Sequence, residues 1–204
     1  LLLVLNAALV AAAVVCVAAA GAGLLGRLAR ELALTRVRLA GAAAGEAVER
    51  SADDVRTSAR LLSERPTVVR LVGAGAGEDL AVFLERFRST SRLSGCAVLT
   101  AGHTAGTAGP PLPWPVLAAA ASRAGGTALV HPARQPLLLI SASPIAALPG
   151  GAAVAALALD SAFLRATAAR AGLPVALVAS EEALARPAAP RAALRQQALV
   201  SSRP

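Results

Sequence analysis

The first 26 residues form an apolar run, and no other feature constrains the fold of this chain as strongly. Between Leu1 and Gly26 no side chain is ionised, and Asn6 is the one strongly polar residue. A helix of this length rises about 39 Å at 1.5 Å per residue, which is enough to cross a hydrocarbon core of roughly 30 Å. We therefore predict a transmembrane helix over residues 1–26, with the lipid bilayer as a partner and the rest of the chain tethered to the membrane.

A cleaved signal peptide is the alternative for this segment. Ala18, Ala19 and Ala20 supply the small-x-small pattern that signal peptidase accepts just before Gly21. The apolar stretch of a signal peptide is usually about 7–15 residues long, which favours the membrane helix. The orientation is open, because several arginines follow the run and the positive-inside rule would place them in the cytoplasm. The chain contains no methionine, so we expect the natural protein to begin before this segment.

The net charge suggests a polyanionic partner, but the composition argues against nucleic acid. The formal charge is +8, and all 20 basic residues are arginines dispersed along the 204 residues. Aromatic residues make up only 2% of the chain, so nucleic-acid bases would find almost no side chains to stack on. Cys16 lies in the apolar run and Cys96 in the part predicted to be soluble, so we expect no disulfide between them. We predict one soluble domain and no nucleic-acid partner.

Residues 27–94 have helical periodicity. No proline occurs from Arg27 to Glu64. The apolar side chains in the second half of this stretch recur at spacings of four and three residues: Val48, Ala52, Val55, Ala59 and Leu62. Charged residues occupy the other side, which predicts a long amphipathic helix that packs on a domain or on a second subunit. We expect a homodimer, because two such helices side by side would bury their apolar faces.

Proline and glycine divide the rest of this region. Pro66 should interrupt the long helix, Val68–Val72 is predicted as a short apolar turn, and Glu78–Arg88 as the next helix. The glycines of Gly73–Gly77 suggest a dinucleotide loop. However, the G-x-G-x-x-G fingerprint needs a third glycine where Glu78 stands, so these glycines are interpreted as a connection between helices.

Short apolar runs separated by glycine and proline begin at residue 95. Five of them have the length of a strand: Cys96–Thr100, Thr127–His131, Pro136–Ser143, Ala152–Leu159 and Val175–Val178. Helices are predicted over Val116–Ala124 and Ser161–Ala171, the second with Asp160 or Ser161 as its N-cap. Short connections favour antiparallel neighbours, so residues 95–179 are predicted as an α/β (α+β) domain with a mixed or antiparallel sheet and helices on one face. Residues 180–204, rich in Ala, Pro and Arg, are predicted as a linker or a truncated continuation.

Catalytic and metal-binding signatures are missing from the sequence. No serine, zinc or nucleotide motif of the common hydrolases, metalloproteases or P-loop proteins occurs. Cys96, His103 and His131 match no metal-ligand spacing. We predict no catalytic residue, no metal site and no cofactor in this segment, and whether the parent protein is an enzyme stays open.

A ligand pocket could form where the long loop Ala101–Pro115 covers the strands that follow it. The candidate ligand-binding residues are Trp114, His131, Arg134, Ser141 and Arg92. The tryptophan could form an apolar wall, either arginine could hold a carboxylate with two hydrogen bonds, and the histidine could add another or sense pH. Each residue also has a simpler explanation as a core, turn or strand-end residue. The expected ligand is a small anion.

The layout of the chain resembles that of a known family. After the apolar run come SARLLSERPTVVRLV, EDLAVFLERFRSTSRLSG, CAVLT and PLLLISASPIAALPGGAAVAALALDSAFLRATAARAGLPVALV, of which Ser141–Val178 is the most telling stretch. This order resembles the PAS-like Cache sensor regions of bacterial sensor histidine kinases and related membrane receptors. The resemblance implies an extracytoplasmic domain that binds a small ligand, shifts helices across the membrane and controls a kinase. The segment AGHTAGTAGPP is expected to replace the hairpin that follows the first strand in that family.

Two functional hypotheses follow from these observations. The first is the sensory input region of a two-component receptor, most simply a sensor histidine kinase, located at the inner membrane with its soluble domain in the periplasm or outside the cell. The second is a membrane-anchored module that binds or assembles envelope proteins without a small ligand. A degenerate pocket would favour the second hypothesis.

Overall fold

The computed structural model describes residues 2–101, 103–132 and 135–176, with side chains described from Ala20 onward within these ranges. The helices are α1 (Leu2–Ser63), α2 (Pro66–Gly73), α3 (Gly77–Thr90), α4 (Trp114–Arg123) and α5 (Ser161–Ala171). The strands are β1 (Gly95–Thr100), β2 (His103–Ala108), β3 (Thr127–Val130), β4 (Leu138–Pro144) and β5 (Ala152–Ala158). The described part of the predicted strand Val175–Val178 is irregular, and the tail 180–204 lies outside the described residues.

The long helix α1 confirms the amphipathic prediction. The five apolar residues at spacings of four and three are all buried, with Ala59 and Leu62 completely inaccessible. They pack on β4, β5 and α5. Ion pairs on the exposed side join Arg56 to Asp53 at 2.6 Å and Arg60 to Glu64 at 2.9 Å. Because its apolar face packs on the domain of the same chain, that face is not free for a second subunit.

No helix among the described residues is both long enough and apolar enough to cross a membrane. The transmembrane helix over residues 1–26 stays a prediction.

The sheet is antiparallel throughout, with strand order β2-β1-β5-β4-β3. The strands β1, β3, β4 and β5 confirm four of the five sequence predictions to within two residues at either end. The predicted loop Ala101–Pro115 was wrong in its first half, because His103–Ala108 forms the edge strand β2 and pairs with β1 as a hairpin. The small residues of this strand are largely exposed, so they show no apolar alternation that would reveal a strand.

Helices cover both faces of the sheet, although we predicted helices on one face. α1 and α3 pack on the first face, and α4 packs on the second face against β4 and β3. The reason is visible in the central strands, where consecutive residues of β1 and β5 are buried and successive side chains point to opposite faces. Such strands need cover on both sides.

Local signals fix the helix ends. Pro66 opens α2 at its first position, where the missing N–H costs no hydrogen bond, so Val68–Val72 is helical and not the predicted turn. α5 spans the predicted residues. The Asp160 carboxylate caps it by accepting from the backbone N–H groups of Ala162 and Phe163 at 2.9 and 3.0 Å, and Gly172 ends it with φ of 69°.

Candidate functional site

The second face of the sheet is built around the one tryptophan of the chain. Trp114 is the first residue of α4, and only 2% of its surface is exposed. Its indole lies directly over Gly95 on β1, where an added Cβ would come within 2.9 Å of the ring atom Cη2. The chain reaches this position through a tight reversal at Gly109, whose φ is +96° and where a Cβ would collide with the Ser94 carbonyl oxygen. Two glycines therefore make the room that the indole fills.

The Trp114 indole N–H is buried and makes no hydrogen bond. It is the one buried side-chain nitrogen or oxygen in the described part of the chain that lacks a partner. The side chains packed around it are aliphatic, among them Ala97, Leu99 and Leu117. An unsatisfied buried donor costs about 1–3 kcal/mol. The second face can therefore offer one hydrogen bond to an acceptor in otherwise apolar surroundings.

The first face holds a polar joint between α1 and the sheet. The Ser63 hydroxyl, at the last residue of α1, donates to the Arg60 carbonyl at 2.8 Å. Its oxygen lies 3.0 Å from the Ser143 hydroxyl on β4, which donates to it because the Ser63 proton is already committed. This contact joins residues 80 positions apart and ties the end of the long helix to the central part of the sheet.

A second polar chain lies next to this joint on the same face. The Thr127 hydroxyl donates to the Ser141 oxygen at 3.4 Å, and Ser141 donates to the Gly126 carbonyl at 2.7 Å. Ser141 is almost completely buried, yet its single proton is used within the sheet. Its hydroxyl therefore stabilises the pairing of β3 with β4 and has no proton left for a ligand.

The sequence-predicted site residues do not converge. Trp114 lies on the second face and Ser141 on the first, so the sheet separates them. His131 is exposed at the end of β3, and Arg92 is exposed in the turn before β1, with φ of 54°. Two strands separate β1 from β3, which is about 14 Å at the usual strand spacing. Arg134 lies outside the described residues, and the ligand-binding role of all five stays a prediction.

Ionised groups lie on the surface of the domain. The buried polar residues in the described ranges are neutral: Ser63, Thr127, Ser141 and Thr167. On α3, a hydrogen bond from Arg88 lowers the pKa of the Glu85 carboxyl, and both groups face solvent. A small anion inside this part of the domain would therefore meet no buried positive charge.

Cys96 on β1 is completely buried. Burial raises the pKa of its thiol to about 12, and the S–H points to the Leu84 carbonyl at 3.5 Å. At neutral pH it is an inert core thiol and no nucleophile. Among the described residues, no three His, Cys, Asp or Glu side chains lie close enough together to hold a metal ion.

Comparisons with known proteins identify the fold. No protein-family model matches the chain, and no curated protein matches it. Among solved structures, the periplasmic domain of LuxQ from Vibrio cholerae superimposes with a TM-score of 0.57, covering 70% of this chain and 74% of that one at 10% sequence identity. The fold is PAS-like. At this identity the likeness shows the fold alone, and the finer assignment to the Cache group stays a prediction.

Sequence reasoning singled out Trp114, whose ligand-binding role stays a prediction, and missed the long-range contacts described on both faces of the sheet. The Ser63–Ser143 contact joins a helix end to a strand 80 residues later, and no local pattern indicates such a pair. In the sequence, Gly95 stands only as the residue before the apolar run CAVLT. Its role as the platform for the indole depends on the long-range position of α4.

Proposed function

We propose that the chain is the sensory input region of a membrane-anchored two-component receptor, most simply a sensor histidine kinase, with its sheet domain in the periplasm. The PAS-like fold, shared with the periplasmic domain of LuxQ, supports a role as a sensor domain outside the cytoplasm. The predicted membrane helix over residues 1–26 would supply the anchor. The kinase itself would lie outside this segment.

The observation that carries the proposal is the continuity of α1. One helix runs from Leu2 to Ser63 without interruption, about 93 Å at 1.5 Å per residue. Its last turns pack on two central strands through Val55, Ala59 and Leu62. A change in the packing of the sheet would therefore move a rigid element that leads toward the membrane, with no hinge to absorb the motion.

The second face is the part of the domain best suited to detect a small ligand. The unpartnered N–H of Trp114 offers a donor, and α4 could move away from the sheet to admit a molecule with an acceptor group. Arg92, exposed at the start of β1, could add a positive charge at the same end of the sheet. His131 lies about three strand spacings away and could act only on a ligand large enough to span them. A ligand that stabilises one position of α4 shifts the population of sheet and helix arrangements.

Topology tests the anchoring half of this proposal. The full chain is fused after Pro204 either to alkaline phosphatase, which is active only after export, or to β-galactosidase, which is active only in the cytoplasm. We expect phosphatase activity in the membrane fraction and little galactosidase activity. The reverse pattern would place the domain in the cytoplasm and overturn the proposal.

Ligand binding tests the sensing half. The emission of Trp114 and the melting temperature of the full chain are measured against a panel of organic and amino acids. A ligand at 100 times its dissociation constant adds about 2.7 kcal/mol to the free energy of unfolding, which a melting curve resolves readily. A matched panel of neutral analogues shows whether the charge matters.

A membrane-anchored module that binds another envelope protein is the second candidate. One observation favours it: both faces of the sheet are filled by the protein's own side chains, and no charged side chain is buried among the described residues. A domain of this kind needs no internal ligand. This second candidate predicts that no ligand of the panel changes the Trp114 emission or the melting temperature. It also predicts phosphatase activity in the export test.

A further inference from the structure

One edge of the sheet carries little of the usual protection against pairing with another chain. β2 is the outermost strand and pairs only with β1. Its six residues, His103–Ala108, include no proline, Asp, Glu, Lys or Arg, and five of them are at least partly exposed. Natural proteins usually block such an edge with charges, prolines or a very short strand. We call the backbone edge of His103–Ala108 that faces away from β1 the open edge.

The other edge of the sheet is protected. β3 has only four residues, α4 packs against it, and Pro132 follows two residues after its end. β2 has one irregularity, a bulge in which Ala105 is the extra residue opposite the step from Val98 to Leu99. The bulge bends the open edge but does not cover it.

Helix α3 stands over the open edge and turns it into a groove. The helix packs chiefly on β2, and a Leu80 carbon lies 2.8 Å from where a Cβ on Gly106 would be. Phe83 and Phe87 lie on the side of α3 that packs on the core, so the other side overhangs the edge. An extended segment beside β2 would therefore meet backbone groups on one side and a helix surface above it. That outer surface of α3 carries Ala81, Glu85 and Arg88.

The groove is negative at the end where β2 begins. Leu80 lies over Gly106 in the second half of β2. Two turns later, Arg88 lies beside Gly109, just after the end of β2, so α3 and β2 run in the same direction. The first turn of α3 carries Glu78 and therefore lies toward the start of β2. The charge of Arg88 itself is used by its ion pair with Glu85.

Arg92 makes the other end of the groove positive, at a cost in backbone strain. It lies in the exposed turn before β1, two residues before Ser94, whose carbonyl oxygen lies against Gly109. Its φ of 54° is in the left-handed region, where glycine is the least costly residue. Within the described ranges it forms no ion pair. A charged side chain kept in a strained turn without an ionic partner favours a contact with another molecule.

We propose that the open edge and the groove dock an extended segment of a partner protein, which adds to the sheet as a sixth strand antiparallel to β2. Backbone hydrogen bonds supply the affinity, and the groove supplies the selectivity. The segment carries an acidic residue at the end beside Arg92 and a basic residue at the end beside Glu78. Its central residues are β-branched, since these pair well across a strand with Thr104 and Thr107.

A second copy of this chain fits the edge less well. An antiparallel pair of β2 strands would lie about 4.8 Å apart. Because α3 stands over β2, the two copies of α3 would be separated by a similar distance, whereas packed helices need about 8–10 Å. A single extended strand meets no such clash.

Hydrogen exchange of the full chain in detergent micelles tests the docking edge. The probe is the capped peptide Asp-Asp-Val-Thr-Val-Thr-Val-Lys-Lys, which places its acids beside Arg92 when it lies antiparallel to β2. The control peptide has Pro-Pro in place of the central Val-Thr, which removes backbone donors in either register. At about 1 mM we expect the probe to slow amide exchange in His103–Ala108 about tenfold, and the control to leave it unchanged. Unchanged exchange with the probe, or slower exchange at β3 instead, would overturn the proposal.

Arg92→Gln tests the positive end of the groove, with Arg86→Gln as the matched control. Both arginines are exposed, but Arg86 lies on α3 away from the overhanging side. We expect the dissociation constant of the labelled probe to rise about three- to fivefold for Arg92→Gln and to stay unchanged for Arg86→Gln. Equal effects would mean a non-specific attraction and would contradict the proposal. Arg92→Gly should weaken binding while raising the melting temperature, because glycine relieves the left-handed turn, so the loss of affinity is not a folding defect.

A second copy of the chain is the competing occupant of the open edge. If the chain sediments as a dimer, and exchange in His103–Ala108 slows as its concentration rises without any peptide, the edge belongs to a second copy and the proposal is wrong. The docking edge does not depend on what the second face senses. A ligand panel without response therefore leaves it standing, and failed peptide binding leaves the sensing proposal standing.

Discussion

Gly95→Ala is the substitution that tests most sharply how the second face is packed. Gly95 needs no special backbone angle, so an alanine there is a problem of space alone. Its Cβ would lie 2.9 and 3.1 Å from two ring carbons of Trp114 and 3.2 Å from the Ala108 carbonyl oxygen. The indole is rigid and the oxygen belongs to the backbone, so neither neighbour can yield by a simple rotation.

The expected cost of Gly95→Ala is about 1–3 kcal/mol in the free energy of unfolding, the usual range for one extra methyl group in a packed core. The indole must also shift, and it is the one tryptophan of a chain without tyrosine, so fluorescence reports on it alone. We expect the Trp114 emission to move to longer wavelength as water gains access to the ring. Urea unfolding followed by circular dichroism gives the stability, and the native emission spectrum gives the displacement.

Gly106→Ala provides the matched control on β2. Its Cβ would lie 2.8 Å from Leu80, on the side of the sheet that faces α3, and well away from the indole. We expect a loss of stability of similar size, because the Leu80 Cγ would lie at 2.9 Å and both Leu80 and Leu84 are almost completely buried, but an unchanged emission spectrum. The reasoning is refuted if Gly95→Ala is as stable as the natural protein with unaltered emission, or if both variants shift the emission equally.

Three further outcomes are expected. The folded pKa of the Cys96 thiol is raised to about 12 while the unfolded thiol titrates near 9, so the free energy of unfolding should fall above pH 9 by about 1.4 kcal/mol per pH unit until pH 12. Cys96→Ala should abolish this slope in urea titrations. The chain has no lysine or tyrosine whose titration in this pH range would add to the slope, so an unchanged slope contradicts the assignment. Ser63→Ala and Ser143→Ala should each cost about 1 kcal/mol, and a double-mutant cycle should show a coupling of about 0.5 kcal/mol or more, whereas strict additivity would mean that the contact contributes nothing. Asp160→Ala should cost about 1 kcal/mol in thermal unfolding, with Asp160→Asn as the control that keeps a capping oxygen and most of the stability.

Periodic signals made much of this fold predictable. The burial of Val48, Val55 and Leu62 follows from their spacing alone, since any surface helix must place such a stripe against the core. The ends of α5 were predictable because a capping aspartate and a left-handed glycine act locally. Long, apolar strands such as β5 were equally clear.

The edge strand and the second layer of helix could not be predicted in the same way. β2 consists of small and polar residues in HTAGTA, and its pairing with β1 comes from the hairpin geometry, which leaves no apolar alternation in the sequence. The position of α4 depends on how β1 and β5 bury side chains on both faces. This burial depends on strands that are distant in the sequence, so no single stretch of the sequence predicts where α4 packs.

The candidate site was the least predictable part because chemical type does not report on which face of a sheet a residue lies. Ser141 and Trp114 were grouped on their chemistry, yet Ser141 lies on the face of the sheet that α1 covers, whereas Trp114 belongs to α4 and covers the other face. A shift of one position along a strand reverses the face, so correct grouping needs the register as well as the strand. The Leu138↔Ala158 pairing sets that register here, and it joins residues that no sequence pattern connects.

The long helix α1 joins the sheet to the apolar run through one continuous element. Its carboxyl-terminal third is held to the sheet by Val55 and Leu62, both buried. From there the helix runs back to Leu2 without interruption. A shift of the sheet must therefore move the helix as a rigid body, because a continuous α-helix has no flexible joint to absorb the motion. In the receptor proposed above, that motion would reach the predicted membrane segment directly.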